Sequence, residues 1–256
     1  MKLLIDNVSK AYEGPAQQGA PTLALSPVNI EINEGEFVVF VGPSGCGKTT
    51  LLNLIAGFAH PSSGRILLDG KEVERPGRDR LMMFQEPALF PWLNVIDNVT
   101  YGLSRNWFRR SSRREKAGAF LRMVHLEKFE KASIHQLSGG MKQRVALARA
   151  LAPDPRVLLI DEPFTALDAM VKLELYLELQ RIHQETRKTI IFVTHEMQEA
   201  ACLGDRVLVF SGSPGRLMHE MRIDLPRPRE FDDPQVKTFA TELLEKLKQT
   251  RQDPPR

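Results

Sequence analysis

The sequence predicts an α/β fold: a lobe built on parallel strands, an antiparallel β portion beside it, and a helical insert. Three observations carry this. A glycine-rich loop, Gly42-Pro43-Ser44-Gly45-Cys46-Gly47-Lys48-Thr49-Thr50, lies between a β-branched and aromatic run at 37–41 and an apolar-periodic helical pattern at 51–56. Val157-Leu158-Leu159-Ile160 and the run at 189–193 are short and continuously apolar, as parallel strands are when both faces are buried. From Pro87 to about Leu137 strand-like alternation fades and helical periodicity replaces it.

Taken in order, residues 2–12 alternate as an edge strand does, and 13–21, rich in Gly, Pro and Gln, read as a hairpin-type loop. Residues 23–32 resume a strand, and Asn33-Glu34-Gly35-Glu36 is a turn into the strand before the glycine-rich loop. Ser62-Ser63-Gly64 opens a hairpin with Asp69-Gly70 at its tip, and 80–84 is a short strand. In the insert, Asp97 is placed to cap a helix through Val99, and Ser112-x-x-Glu115 has the form of a capping box before Ala117, Phe120, Leu121 and Val124. The later elements are a helix over 169–185, a strand over 189–193, a helix over 196–203 and a strand over 206–210. Ser211-Gly212-Ser213-Pro214-Gly215 is a turn, and a polar helix over about 234–250 ends in a basic tail.

The 256 residues suffice for one large domain or two lobes, and 42% hydrophobic residues permit a sizeable core. A net charge of +3 does not by itself imply a nucleic-acid partner. No apolar run approaches the ~20 residues of a membrane span, and a charge at Asp6 interrupts any signal-peptide core; a soluble, cytoplasmic chain is expected. Two cysteines form no disulfide framework or zinc spacing. Cys46 reads either as a thiol activated by the helix start or as a small residue filling the loop. Arg109, Arg110, Arg113 and Arg114 read either as a solvated face or as a contact for anionic lipid headgroups.

The loop fits G-x-x-x-x-G-K-[ST] in its required strand-to-helix setting. Gly42, Gly45 and Gly47 let the backbone bend close to an anion, with successive N–H groups and the positive helix end aimed at phosphates. Lys48 adds a charge on the β and γ phosphates, and the Thr49 hydroxyl suits Mg²⁺. Downstream, Gln85 ends the 80–84 strand, where an amide can sense a γ-phosphate. Leu137-Ser138-Gly139-Gly140-Met141-Lys142-Gln143-Arg144 opens a helix with Ser138 as N-cap. Its two first-turn glycines cost up to ~1 kcal/mol each against alanine, a cost that makes sense where bare backbone meets an anion. Asp161 and Glu162 end an apolar strand on opposite faces: Asp161 suits Mg²⁺ through a water, and Glu162 suits activating the attacking water. Asp168 follows with Ala166 and Leu167, and is also placed to cap the next helix. His195 stands at the same sheet edge, within reach of a γ-phosphate and its water.

Together these residues resemble the ATP-binding cassette (ABC) ATPases over residues 1 to about 230. The resemblance covers Walker A at 42–50, the Q-loop at Gln85, the signature at 137–144, Walker B at 157–162, the D-loop at Asp168 and the switch histidine His195. It implies a P-loop NTPase with a RecA-like core lobe at 1–86 and 152–230, an antiparallel β subdomain, a helical subdomain at about 87–151, and a C-terminal helix and polar tail at 231–256. It implies ATP and Mg²⁺ as ligands, with Glu162, His195 and Lys48 catalytic, Thr49, Gln85 and Asp161 at the metal, and Tyr12 stacked on adenine. It implies a head-to-tail, ATP-dependent homodimer in which Leu137, Ser138, Gly139, Gly140 and Met141 of one chain meet the ATP of the other.

Pro76-Gly77-Arg78-Asp79-Arg80, Leu89-Phe90-Pro91-Trp92, Ser213-Pro214-Gly215-Arg216 and Leu225-Pro226-Arg227-Pro228-Arg229 are similar to the nitrate/sulfonate/taurine importer branch. That branch implies an integral membrane permease contacted near Phe90, Pro91 and Trp92, which otherwise read as packing of the helical lobe. It further implies an extracytoplasmic substrate-binding protein acting indirectly, no nucleic-acid partner, and a place on the cytoplasmic side of the inner membrane. Lys142, Thr165 and Glu196 depart from the family's usual residues without removing a catalytic group. An export cassette, a soluble ABC mechanoenzyme and a non-hydrolysing scaffold are the competing classes.

Overall fold

The computed structural model describes residues 2–13, 21–103, 110–165 and 167–252. Most of the loop expected over 13–21, together with Arg109, Ala166 and the end of the basic tail, lies outside them. Strands β1 (Lys2–Tyr12) and β2 (Thr22–Asn33) pair antiparallel. Then come β3 (Phe37–Val41), helix α1 (Lys48–Ala56), β4 (Ser63–Leu68), β5 (Lys71–Glu72) and β6 (Arg80–Met83). Helices α2 (Val95–Tyr101), α3 (Arg110–Met123) and α4 (Gly139–Leu151) form the insert before β7 (Val157–Asp161). The chain continues through α5 (Ala169–Thr186), β8 (Thr189–Thr194), α6 (Met197–Leu203), β9 (Arg206–Phe210), β10 (Leu217–Arg222) and α7 (Pro234–Gln252).

One sheet is antiparallel with order β2-β1-β4-β5; the other runs β10-β9-β3-β8-β7-β6, parallel except for β10. β1 is therefore an inner strand, not the edge strand expected. Alternation reports which face is buried, as at Leu3 and Ile5, but says nothing about whether both backbone edges are paired. β10 was not anticipated: its Leu-Met-His-Glu-Met-Arg alternates in burial but lacks the β-branched residues that mark strands.

The fully buried strands of the larger sheet serve two cores. Phe37, Val39, Leu158, Ile160, Ile190, Phe192, Val207 and Val209 face the helices. Val38, Phe40, Val157, Leu159, Ile191, Val193, Leu208 and Phe210 face α1 and the antiparallel sheet. Successive side chains point oppositely, so one continuous apolar run fills both layers.

Two caps differ from expectation. Asn94, not Asp97, caps α2: its side chain accepts from the Asp97 N–H at 2.8 Å. α3 already includes Arg110, so Ser112 is helical and its capping box does not form. A capping box forms instead at Ser133 and Gln136, on a short 3₁₀ turn before the signature. Of the basic run, Arg114 pairs with Asp97 at 3.2 Å. The C-terminal helix is not polar all round; Val236, Leu243 and Leu247 join the helical-side core. Buried Arg229 fastens the segment before it, donating to the carbonyls of Ala201, Gly204, Ile223 and Leu225, while its own N–H donates to Gln180 Oε1 at 2.7 Å. Burial lowers its pKa to about 10.

His183 on α5 is buried, its Nε2 3.0 Å from the Gly35 carbonyl and its ring edge-on to Phe37. Burial, then the Arg227 charge, lower its pKa to about 4. The unfolded chain binds a proton near pH 6.5, so this histidine's stability is full above that pH and lost as pH falls toward 4. Its share of the loss between pH 7 and 5.5 is about 1 kcal/mol. Chemical denaturation of wild type and His183→Gln at both pH values measures it; equal pH slopes for the two chains would contradict it.

Candidate active site

β3 delivers the chain to the carboxyl edge of the sheet, and the glycine-rich loop turns it into α1. Gly47, at φ 86°, is the N-cap; no side chain caps the first turn and no acidic residue occupies it. The first N–H groups and the positive helix end are thus left for an anion. The loop is hemmed in by backbone on three sides. A Cβ on Gly47 would stand 2.7 Å from the Ala24 carbonyl oxygen, and one on Gly42 would stand 2.7 Å from that of Phe210. A Cβ on Gly215 would stand 1.9 Å from the Cys46 oxygen. Gly215 is itself held between Ala24 and Ser26 of β2, at 3.0 and 2.8 Å.

A cleft of about 360 Å³ lies over the loop, lined by residues 44–50 with Ala24, Gln85, Asp161 and Glu162. Lys48 is only 4% exposed, and its Nζ donates to the Gly42 and Pro43 carbonyls at 2.8 and 2.9 Å. Cys46 is buried and burial pushes its thiol pKa up, so the activated-thiol reading fails: desolvation outweighs the nearby Lys48 charge. Thr49 Oγ1 donates to Asp161 Oδ1 at 3.0 Å. Burial pushes the Asp161 pKa up, opposed by that hydrogen bond. Two hard oxygens so placed on the cleft floor fit a small divalent cation.

Glu162 lies just past the end of β7 and lines the same cleft as Asp161, so the strand alternation that would put the two on opposite faces does not reach it. It takes φ 41°, rare for a residue with a side chain, and its N–H donates to the Val193 carbonyl at 3.1 Å. That backbone brings its Oε2 to 3.0 Å from His195 Nδ1. Gln85 lies two residues past the end of β6, exposed at the cleft; its carbonyl accepts from Gln143 Nε2 of α4 at 3.0 Å.

The remaining candidates lie elsewhere. Ser138 caps α4, accepting from the Met141 N–H at 3.3 Å, and Ser138 and Gly139 are exposed away from the cleft. Gly140 has a packing reason of its own: a Cβ there would meet Val171 Cγ1 at 2.3 Å, so anion approach is not needed to explain both glycines. Asp168 caps α5, accepting from the Val171 N–H at 3.1 Å. Tyr12, 45% exposed, ends β1 beneath Lys10, whose Nζ is 5.2 Å from the ring; it does not line the cleft. Phe90 is half-buried, its ring 4.4 Å from that of Tyr101 and 5.4 Å from the Arg149 guanidinium, whereas Trp92 is 76% exposed. The part Ala24 and Gly215 play in walling the loop was not read from the sequence, where Gly215 stood only as part of a turn at 211–215 and of the 213–216 segment shared with the importer branch.

The sequence profile of the family described as ABC transporter matches residues 25–165. An uncharacterized ABC transporter ATP-binding protein of Methanocaldococcus jannaschii is 47% identical, covering 97% of this chain and 92% of that protein. The bicarbonate transport ATP-binding protein CmpD of Synechococcus elongatus is 43% identical over 94% and 90%. The nitrate import ATP-binding protein NrtD of the same organism is 41% identical over 96% and 91%. The dimeric post-hydrolysis structure of the ATP-binding cassette MJ0796, bound to ADP and Pi, superposes with a TM-score of 0.76 at 33% identity, covering 88% of this chain and all of that one. Fold, phosphate loop and relatives converge: the chain belongs to the ABC transporter family, as one of its ATP-binding cassettes.

Proposed function

We propose that this chain hydrolyses ATP to power an importer of nitrate, a sulfonate, taurine or a related small solute. The observation that carries the hydrolytic reading is the pairing of Glu162 with His195 at 3.0 Å, in the cleft that also holds the phosphate loop and Asp161. Glu162 accepts a proton from the attacking water, and His195 orients that carboxylate and the γ-phosphate. The Lys48 ammonium exchanges its two carbonyl partners for phosphate oxygens. Thr49, Asp161 and the Gln85 amide would hold Mg²⁺, which neutralises phosphate charge. Tyr12 stacks on adenine from the end of β1.

The core lobe spans 1–86 and 152–230, the helical subdomain about 87–151, and a C-terminal helix and tail 231–256. Two chains close head to tail on ATP, bringing the signature residues 137–141 and Asp168 of one toward the nucleotide of the other. The exposure of Ser138 and Gly139 away from their own cleft supports this arrangement. No helix among the described residues is long and apolar enough to cross a membrane. In keeping with its importer relatives, the chain binds a membrane permease, on the cytoplasmic side, through Pro91 and Trp92, with Phe90 as their packed base. The nitrate and bicarbonate relatives support a small-solute cargo. Affinity purification of the tagged full chain from gently solubilised membranes is expected to recover a multi-span permease, and Trp92→Glu to lose it. Recovery of ribosomes, DNA or no membrane protein would overturn the importer reading.

A further inference from the structure

The turn that carries His195 is clamped from behind by a buried chain of hydrogen bonds that no catalytic assignment uses. Tyr176 on α5 donates its hydroxyl to Glu199 Oε1 on α6 at 2.5 Å. Thr194, at the end of β8, donates its hydroxyl to Glu199 Oε2. The Glu196 N–H then donates to Thr194 Oγ1 at 3.0 Å. Each hydroxyl proton is used once, and both carboxylate oxygens of Glu199 accept. Residues on either side of His195 are thereby fixed, while its ring stays free to face Glu162. A second contact comes from the same face of α5: Lys172 Nζ, one turn before Tyr176, lies 3.1 Å from Glu196 Oε1.

We infer that Tyr176, Glu199 and Thr194 are positioning residues that hold His195 in line with Glu162 and anchor that pair to α5. The placement argues for it. Tyr176 and Glu199 are buried, and Tyr176 is packed against Phe164 and Phe231 at 5.6 and 5.2 Å, so the donor at one end is immobile. The other end is the residue next to His195. Buried polar chains of this kind specify one geometry when every member is satisfied. Because Asp168 caps the same helix, α5 joins the turn of His195 to the loop before it through one rigid element.

The inference rests on the reading of Glu162 and His195 as the hydrolytic pair. Thr194→Val removes the hydroxyl at nearly constant volume, Thr194→Ser keeps it, and Tyr176→Phe removes the donor at the far end while keeping the ring. ATP hydrolysis is measured on the full chain, alone and with its recovered permease, in steady state and in single turnover with enzyme in excess. Thr194→Val and Tyr176→Phe are each expected to lower kcat about tenfold, as small misplacements of catalytic groups do, with KM for ATP within about twofold. Thr194→Ser restores most of the rate. In a His195→Ala chain, adding Thr194→Val changes the single-turnover rate by less than about twofold, because the clamp acts through that ring. A full tenfold loss persisting without His195, or losses that follow the melting temperature and KM, would show a merely structural network. A wild-type chain that does not hydrolyse ATP removes the underlying reading. An active wild type with an unaffected kcat in both hydroxyl variants removes this inference alone.

Discussion

Glu162→Gln lowers ATP turnover by about 10²–10⁴-fold, the usual worth of a general base, and leaves nucleotide binding nearly intact. The amide has the size of the carboxylate and retains an oxygen that can accept from His195 Nδ1, so the 3.0 Å contact has no steric reason to break. What it loses is the ability to take a proton. Lys48 and Thr49 keep their own hydrogen bonds, to the loop carbonyls and to Asp161, none of which involves Glu162. Phosphate release at saturating ATP and a direct ATP titration separate the two quantities. Light scattering should show the ATP-bound variant accumulating as a dimer. Turnover within tenfold of wild type would take the proton-accepting role away from Glu162.

Gly215→Ala is expected to damage the site from a position outside the motif. Its φ is ordinary, so the effect is purely steric. The added methyl meets the Cys46 carbonyl, which cannot swing aside without moving the loop. Gly215 cannot withdraw either, since its N–H and carbonyl are both engaged by β2. Overpacking of this kind costs about 1–3 kcal/mol, which for a chain of this size lowers the melting temperature by about 3–10 °C. Because the displaced atoms belong to the phosphate loop, ATP affinity falls in parallel, by about 5- to 100-fold. Gly212→Ala, three residues earlier with nothing within 4 Å of the new carbon, is the control and should be neutral. Equal melting temperatures and affinities for the two variants would show that the loop yields.

Much of this was legible because the chemistry is written in contiguous stretches. The strand, loop and helix around Lys48 follow from local pattern, as does the Asp161 and Glu162 edge. Ser138 and Asp168 are the helix caps their positions suggested. The inner position of β1 was not legible, because one of its edges pairs with β4, far along the sequence. The caps at Asn94 and Ser133 were not legible, and Asp97 and Ser112 read as caps in their stead, because several capping residues crowd the insert and only tertiary packing chooses among them. β10 and Gly215 escaped for a related reason: one carries few strand formers, and the other matters only through what approaches it. The Tyr176–Glu199–Thr194 chain joins three elements whose side chains carry no motif.

The backing of the phosphate loop also has an order in time. Its walls come from Ala24, Phe210 and Gly215, so a chain leaving the ribosome presents Lys48 long before the last wall exists. At that point the chain carries the loop's sequence without its walls, and ATP has nothing firm to grip. Because a ligand stabilises only the form it binds, cellular ATP favours chains that have threaded β9 and the following turn into place, and gives no help to those that stall before them.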